Sequence, residues 1–236
     1  MPSIAPKRRV HVPMVGQRWR QVAFVHWPLE VEAIASLVPP PLEIDTFDGA
    51  AWLTLTPFST TCEVLGKVRV PGPARFPETN VRTYVRGPDG GDGLWFFSLA
   101  VTNRANAVLG RSMGLPYHLG DMSLADEMTT WCYTGNRLDA SRSGRYELVL
   151  GNLGDDARSP LDVFLTGRWS AYVVLGPVLY RCDVEHEPWP LRHASLTRSS
   201  GELLAASGLP VPSTEPVVHA ASGVDARLSV PLPLSF

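Results

Sequence analysis

A chain of 236 residues with 44% hydrophobic and 19% charged residues is composed like a globular protein and unlike a disordered one. Its net charge is −2 and its one basic block is Lys7-Arg8-Arg9, which argues against nucleic acid as a partner. No apolar run is long enough to span a bilayer and no apolar stretch follows the N-terminal basic residues, so neither a membrane partner nor a secretory signal is expected.

Cys62, Cys132 and Cys182 are far apart in sequence and odd in number, which fits reduced thiols and a cytoplasmic location better than a disulfide frame. Two lysines, Lys7 and Lys67, stand against 19 arginines. Nothing after Lys67 can therefore supply an amine side chain.

In chain order, residues 1–16 show no periodic pattern and read as an N-terminal arm before a single domain over 17–236. Trp19–Trp27 reads as a strand. Pro28 opens a short helix with Leu29, Val31, Ala33, Ile34 and Leu37 on one side, and Pro39-Pro40-Pro41 ends it. Leu42–Asp45 and Ala51–Phe58, around Phe47-Asp48-Gly49, predict a hairpin. Thr61–Val70 is a further strand.

Phe76–Arg86 (FPETNVRTYVR) is the most informative stretch. Val81, Thr83 and Val85 alternate with Asn80, Arg82, Tyr84 and Arg86, the period of a strand with one face packed and the other facing solvent or a cavity. Leu94–Val101 (LWFFSLAV) is nearly continuous and apolar, as in a strand buried on both faces. Gly87–Gly93 is the turn between them. Asn103–Met113 predicts a helix ended by Gly114. Strands follow at 128–134 and 145–150, a helical turn at 160–165, a β-rich stretch at 171–184 turning at Gly176-Pro177, a short helix at 201–206 and a last strand at 225–232. Arg168 and Trp169 read as packing. Strands dominate without βαβ alternation, so the class is α+β, mainly β.

Familiar chemical motifs are few. Glu185-His186-Glu187 lacks the convergent spacing of a metal site, and His186 reads as structural or at a cavity mouth. Ser98 and Ser112 have no nucleophile-elbow context. Neither GxGxxG nor a P-loop occurs. No cofactor is expected.

RQVAFVHW, LVPPPLEIDTFDG, FPETNVRTYVR, WFFSL, LPYHLGDMS, HEPWPL and GVDARL together resemble the YqjF-like family of uncharacterised bacterial proteins, over nearly the whole chain. That family resembles acetoacetate decarboxylase more distantly, which implies a curved, cone-like β-barrel around an apolar cavity. Within that resemblance, Arg20 falls on an active-site arginine of the decarboxylase and Glu78 on its active-site glutamate. Tyr117 falls on the Schiff-base lysine and His118 on the neighbouring lysine that activates it. A second cavity acid falls within Trp52–Leu55, where this chain has none. A phenol cannot form an iminium, so decarboxylation through a protein Schiff base is not expected.

The resemblance leaves Glu78, Tyr117 and His118 as candidate catalytic residues and Arg20, Arg82 and Trp95 as candidate substrate-binding residues. Two functions stay open. One is cofactor-free acid–base chemistry (isomerisation, dehydration or cyclisation) on an oxygenated, partly apolar metabolite. The other is non-catalytic binding or sensing of a small molecule. Against both stands a salt bridge between Arg20 and Glu78 in a filled interior. Homo-oligomerisation is compatible with either.

Overall fold

The computed structural model describes residues 2–6, 8–64, 68–127, 130–138 and 144–234. In order they form β1 (Val15–Leu29), α1 (Glu32–Ala35), β2 (Glu43–Ile44), β3 (Ala51–Thr60), β4 (Cys62–Val64), β5 (Val68–Arg69), β6 (Phe76–Arg86), β7 (Asp92–Val101) and α2 (Arg104–Ser112). Then come β8 (Tyr117–Glu127), β9 (Thr130–Arg137), β10 (Tyr146–Asp156), α3 (Pro160–Thr166), β11 (Ser170–Leu175), β12 (Val178–Glu185), β13 (Leu191–Gly201), α4 (Leu203–Ala206), β14 (Val217–Leu228) and β15 (Leu232–Pro233). With 55% of the described residues in strands and 11% in helices, the fold is mainly β. No helix among the described residues is long and apolar enough to cross a membrane.

The strands form one sheet in the order β11-β12-β14-β13-β10-β9-β8-β7-β6-β3-β1-β4-β5, with β2 on β6 and β15 on β12. Two further pairings, β14 with β1 and β11 with β7, join strands far apart in this order. A flat sheet cannot make such pairs, so this one is strongly curved. Bends in β1 contribute. Its register shifts between Arg20 and Val25, and Gln21 there has φ 50°, the left-handed conformation typical of a bulge. Across the ladder, Arg20 pairs Gly223, where a methyl would overlap the carbonyl oxygen of Trp19.

β6 lies between β3 and β7, antiparallel to both. β7 and β8 run parallel, with Leu99 opposite Tyr117. Parallel neighbours need a crossover, and α2 supplies it. The Asn103 side chain caps α2 by accepting from the Asn106 N–H. The helix ends where the Leu115 N–H returns to the Gly110 carbonyl. α3 has Pro160 in its first turn and a reciprocal capping box between Ser159 and Asp162, the arrangement that starts a helix most firmly.

Two sequence expectations change. Residues 42–45 and 51–58 do not form a hairpin: β2 pairs β6, while β3 pairs β1 and β6. The loop between them closes on a single Phe47–Ala50 bridge. The single strand expected at 61–70 is two short strands, β4 and β5, that pair with each other; residues 65–67 lie outside the described residues. So do residues 128–129 of the strand expected at 128–134, and so do Lys7 and Lys67. β8 beyond its first residues carries only a short alternation of Met122 and Leu124 with Asp121 and Ser123, and β13 carries no sustained one. β13 is exposed almost throughout, and its strand form comes from pairing with β10 and β14.

Candidate functional site

The two faces of β6 part company. Val81 joins the main core with Val25, Leu53 and Leu148, and Val85 packs with Val38, Tyr172 and Leu179. Glu78, Asn80 and Arg82, on the alternate face, line a pocket of about 140 Å³. The first part of the polar face therefore turns to the pocket, whereas Tyr84 packs on Phe164 and Arg86 is exposed at the strand end. Apolar side chains make up most of the wall, with Leu94, Phe96 and Leu99 from β7 and Val173 from β11 among them.

Glu78 is only 3% exposed. Burial raises its carboxyl from the ordinary 4.5 to about 8, a shift that the hydrogen bond from Tyr117 partly opposes. Loss of hydration penalises the charged form more than one neutral donor can restore. The Tyr117 hydroxyl donates to Glu78 Oε1 at 3.2 Å, and Glu78 Oε2 is buried without a hydrogen-bond partner among the described residues. Burial first, and then the Glu78 charge, push the Tyr117 phenol well above its usual range, so it stays a donor.

Local structure explains how Tyr117 gets there. It is the first residue of β8, directly after the α2 crossover, and its ring lies against α2 where Gly110 has no side chain. A methyl at Gly110 would overlap the ring. Arg111 Nε donates to the Tyr117 carbonyl at 2.7 Å and holds the backbone. The chain has a buried acid touching a buried phenol at the position where the resemblance had a lysine.

The other end of the pocket is cationic. Arg82 is 8% and Arg168 5% exposed. Both line the pocket. Arg168 Nη1 donates to Asp45 Oδ2 at 2.7 Å and Nε to the Phe164 carbonyl at 3.0 Å. Its guanidinium lies over the rings of Phe164 and Tyr84. Arg168 read as packing from sequence. It reaches the wall because α3 ends just before β11, and nothing in its neighbours announces that. His186 also lines the pocket, among the rings of Trp19, Trp169 and Trp189 at centroid distances of 5.6, 4.4 and 4.6 Å. Burial lowers its imidazole to about 4, although the Glu187 carbonyl pulls the other way, so it is neutral at pH 7.

Three candidates lie elsewhere. Arg20 follows Trp19, which lines the pocket, and so points to the opposite face. Its Nη2 meets Asp225 Oδ1 at 2.5 Å, and its Nη1 donates to the Trp19 and Val224 carbonyls. It makes no salt bridge to Glu78. Trp95, between Leu94 and Phe96, packs toward Val85 and Tyr172 instead. His118, one residue beyond Tyr117 on regular strand, is not in the lining.

Asp162, His193 and His219 bring three potential metal-ligand atoms within 4.8 Å of one another. Here the Asp162 oxygens already accept the Ser159 N–H at 2.8 Å and, with Nε2 of His219 as donor, a bond at 2.9 Å. Those contacts tie the start of α3 to β14, a strut between two elements.

Comparisons with known proteins agree with this architecture. Residues 16–225 match the family model DUF2071, described as an uncharacterized conserved protein. The uncharacterized protein YqjF of Bacillus subtilis (strain 168) is 33% identical over 229 residues, covering 93% of each chain. Among solved structures, the enduracididine biosynthesis enzyme MppR complexed with pyruvate is similar at a TM-score of 0.68 and 16% identity, over 97% of this chain and 93% of that one. An acetoacetate decarboxylase from Legionella pneumophila is similar at a TM-score of 0.66 and 15% identity, over 100% of this chain and 92% of that one. At such identities the likeness is one of fold. The match along most of its length, together with the near-full-length relative, makes this chain a member of the DUF2071 family of uncharacterised conserved proteins.

Proposed function

We propose that the protein binds a small, oxygenated, partly apolar molecule in this pocket and performs acid–base chemistry on it, with Glu78 as the proton carrier. One observation carries the reading: a carboxyl in the wall of the pocket, raised to about 8 by burial, with Oε2 left without a hydrogen-bond partner among the described residues. At neutral pH most of Glu78 is protonated and can give its proton to a ligand oxygen. The ionised fraction can take a proton from the carbon beside it, because the carboxyl titrates near the operating pH. Tyr117 holds Oε1, which leaves Oε2 to face the ligand, and its phenol stabilises the carboxylate once the proton has left. Isomerisation or dehydration of a carbonyl compound fits this pair. Schiff-base chemistry does not, because position 117 carries a phenol.

Two solved structures of one relative of the fold support a small-molecule role: MppR is described as complexed with pyruvate, and also with the condensation product of pyruvate and imidazole 4-carboxaldehyde. Incubation with a panel of hydroxy and keto compounds, with products read by mass spectrometry, tests the reading. Wild type should convert at least one compound, and Glu78→Gln should lose turnover while keeping the fold. A fully active Glu78→Gln ends the proposal. The phenol at position 117 favours a second reading, a binding or sensing protein that has lost the chemistry. Ligand-dependent stabilisation without any product would select it.

A further inference from the structure

The pocket has two ends, and β6 measures the distance between them. Glu78, Asn80 and Arg82 are successive residues on one face, so the backbone carries the first and last about 13 Å apart. Tyr117 packs at the Glu78 end with Leu99 and Ala107. At the Arg82 end the guanidinium lies 5.3 Å from the Phe24 ring.

At the Arg82 end positive charge exceeds what receives it, since the side-chain partner of Arg82 is the Tyr84 phenol, whose pKa burial raises. Arg82 Nε and Arg168 Nη2 are both buried without a hydrogen-bond partner among the described residues. Arg168 is compensated by Asp45 at 2.7 Å, with Asp92 at 3.9 Å. Arg82 has no carboxylate partner among the described residues. Its neighbours only add to the imbalance: the Arg82 charge is among the influences that keep His26 and His186 neutral, after burial itself. A buried guanidinium without a counter-charge is unfavourable, and a protein tolerates one where a ligand completes the pair. Two guanidinium groups in the wall of one pocket suit a flat, two-oxygen anion. The wall between the ends is mostly apolar, with Asn80 as a polar residue on it.

We propose that Arg82 and Arg168 form an anion subsite, and that the ligand is an elongated carboxylic acid. Its carboxylate sits on the two guanidinium groups, its apolar body runs along β7, and its reacting oxygen function lies near Glu78. This deepens the acid–base reading and rests on it for the Glu78 end alone. It also sets the ligand apart from short keto acids, in which carboxylate and carbonyl are adjacent and cannot reach both ends.

Calorimetric titration of the full chain with octanoate, methyl octanoate and pyruvate tests it. Octanoate should bind at least tenfold more tightly than either of the others. Arg82→Gln and Arg82→Met should each weaken octanoate by tenfold or more while leaving the unliganded protein at least as stable, because an uncompensated charge has been removed. A merely structural arginine would lower that stability instead. Glu78→Gln should leave octanoate affinity within a few-fold of wild type. Equal binding of octanoate and its methyl ester, or unchanged affinity in both Arg82 variants, overturns the anion subsite and leaves the Glu78 chemistry standing. Preference for pyruvate overturns the elongated ligand. If none of the three binds, the subsite falls as well, whereas a Glu78→Gln variant that binds octanoate normally yet turns over substrate sinks only the acid–base reading.

Discussion

Replacing Glu78 with glutamine should change how stability depends on pH, in a direction the burial of that carboxyl fixes. In wild type the folded carboxyl titrates near 8 against an ordinary value of 4.5. Between those values the native state binds more protons than the unfolded chain, so stability falls as pH rises. The loss is about 1.4 kcal/mol per pH unit in that window, and it stops growing once pH passes the folded value. Solvent does little to soften it, since the side chain is only 3% exposed. Glutamine has the same shape, keeps an oxygen for the Tyr117 hydroxyl, and does not titrate. Urea unfolding of both proteins at about pH 5 and about pH 8 should show the difference between them shifting by roughly 3–4 kcal/mol in favour of Glu78→Gln. Other titrating groups cancel in that comparison. A difference that stays constant across the range would mean that the carboxyl is not a buried acid, and the proposed proton carrier would lose its basis.

Gly110→Ala places a methyl where the Tyr117 ring lies. It should destabilise the protein by about 1–3 kcal/mol, the usual range for overpacking, and push the phenol off Glu78; urea unfolding gives the first and a carboxyl infrared titration the second, with an unchanged Glu78 titration counting against the contact. Asp45→Asn removes the buried partner of Arg168, whose side chain is 1% exposed against 2% for Asp45. The expected loss is about 3–5 kcal/mol, and a midpoint shift worth less than about 1 kcal/mol would show that the pair is not what holds Arg168 in place.

Much was legible in the residues alone. The alternation in 80–86 marked β6 as two-faced, the apolar block at 94–101 marked its buried neighbour, and Pro160 marked the start of α3. Tyrosine at position 117, in a chain with no lysine after Lys67, removes amine chemistry there. These features are local: a strand period, a cap and a functional group belong to the residues that carry them.

Which face of each strand looks into the pocket is not local. Adjacent residues on a strand point oppositely, so a one-residue difference carries a side chain from the cavity to the other side. Trp19 and Tyr117 line the cavity while Arg20 and His118 do not, and Leu94 and Phe96 line it on either side of Trp95. Only the pairing of the strands decides that. The same holds for Arg168 and His186, which reach Arg82 from parts of the chain 86 and 104 residues further along. It holds for the acidity of Glu78 too: the sequence supplies a carboxyl, but its proton affinity is set by how completely the curved sheet and α2 exclude water from it.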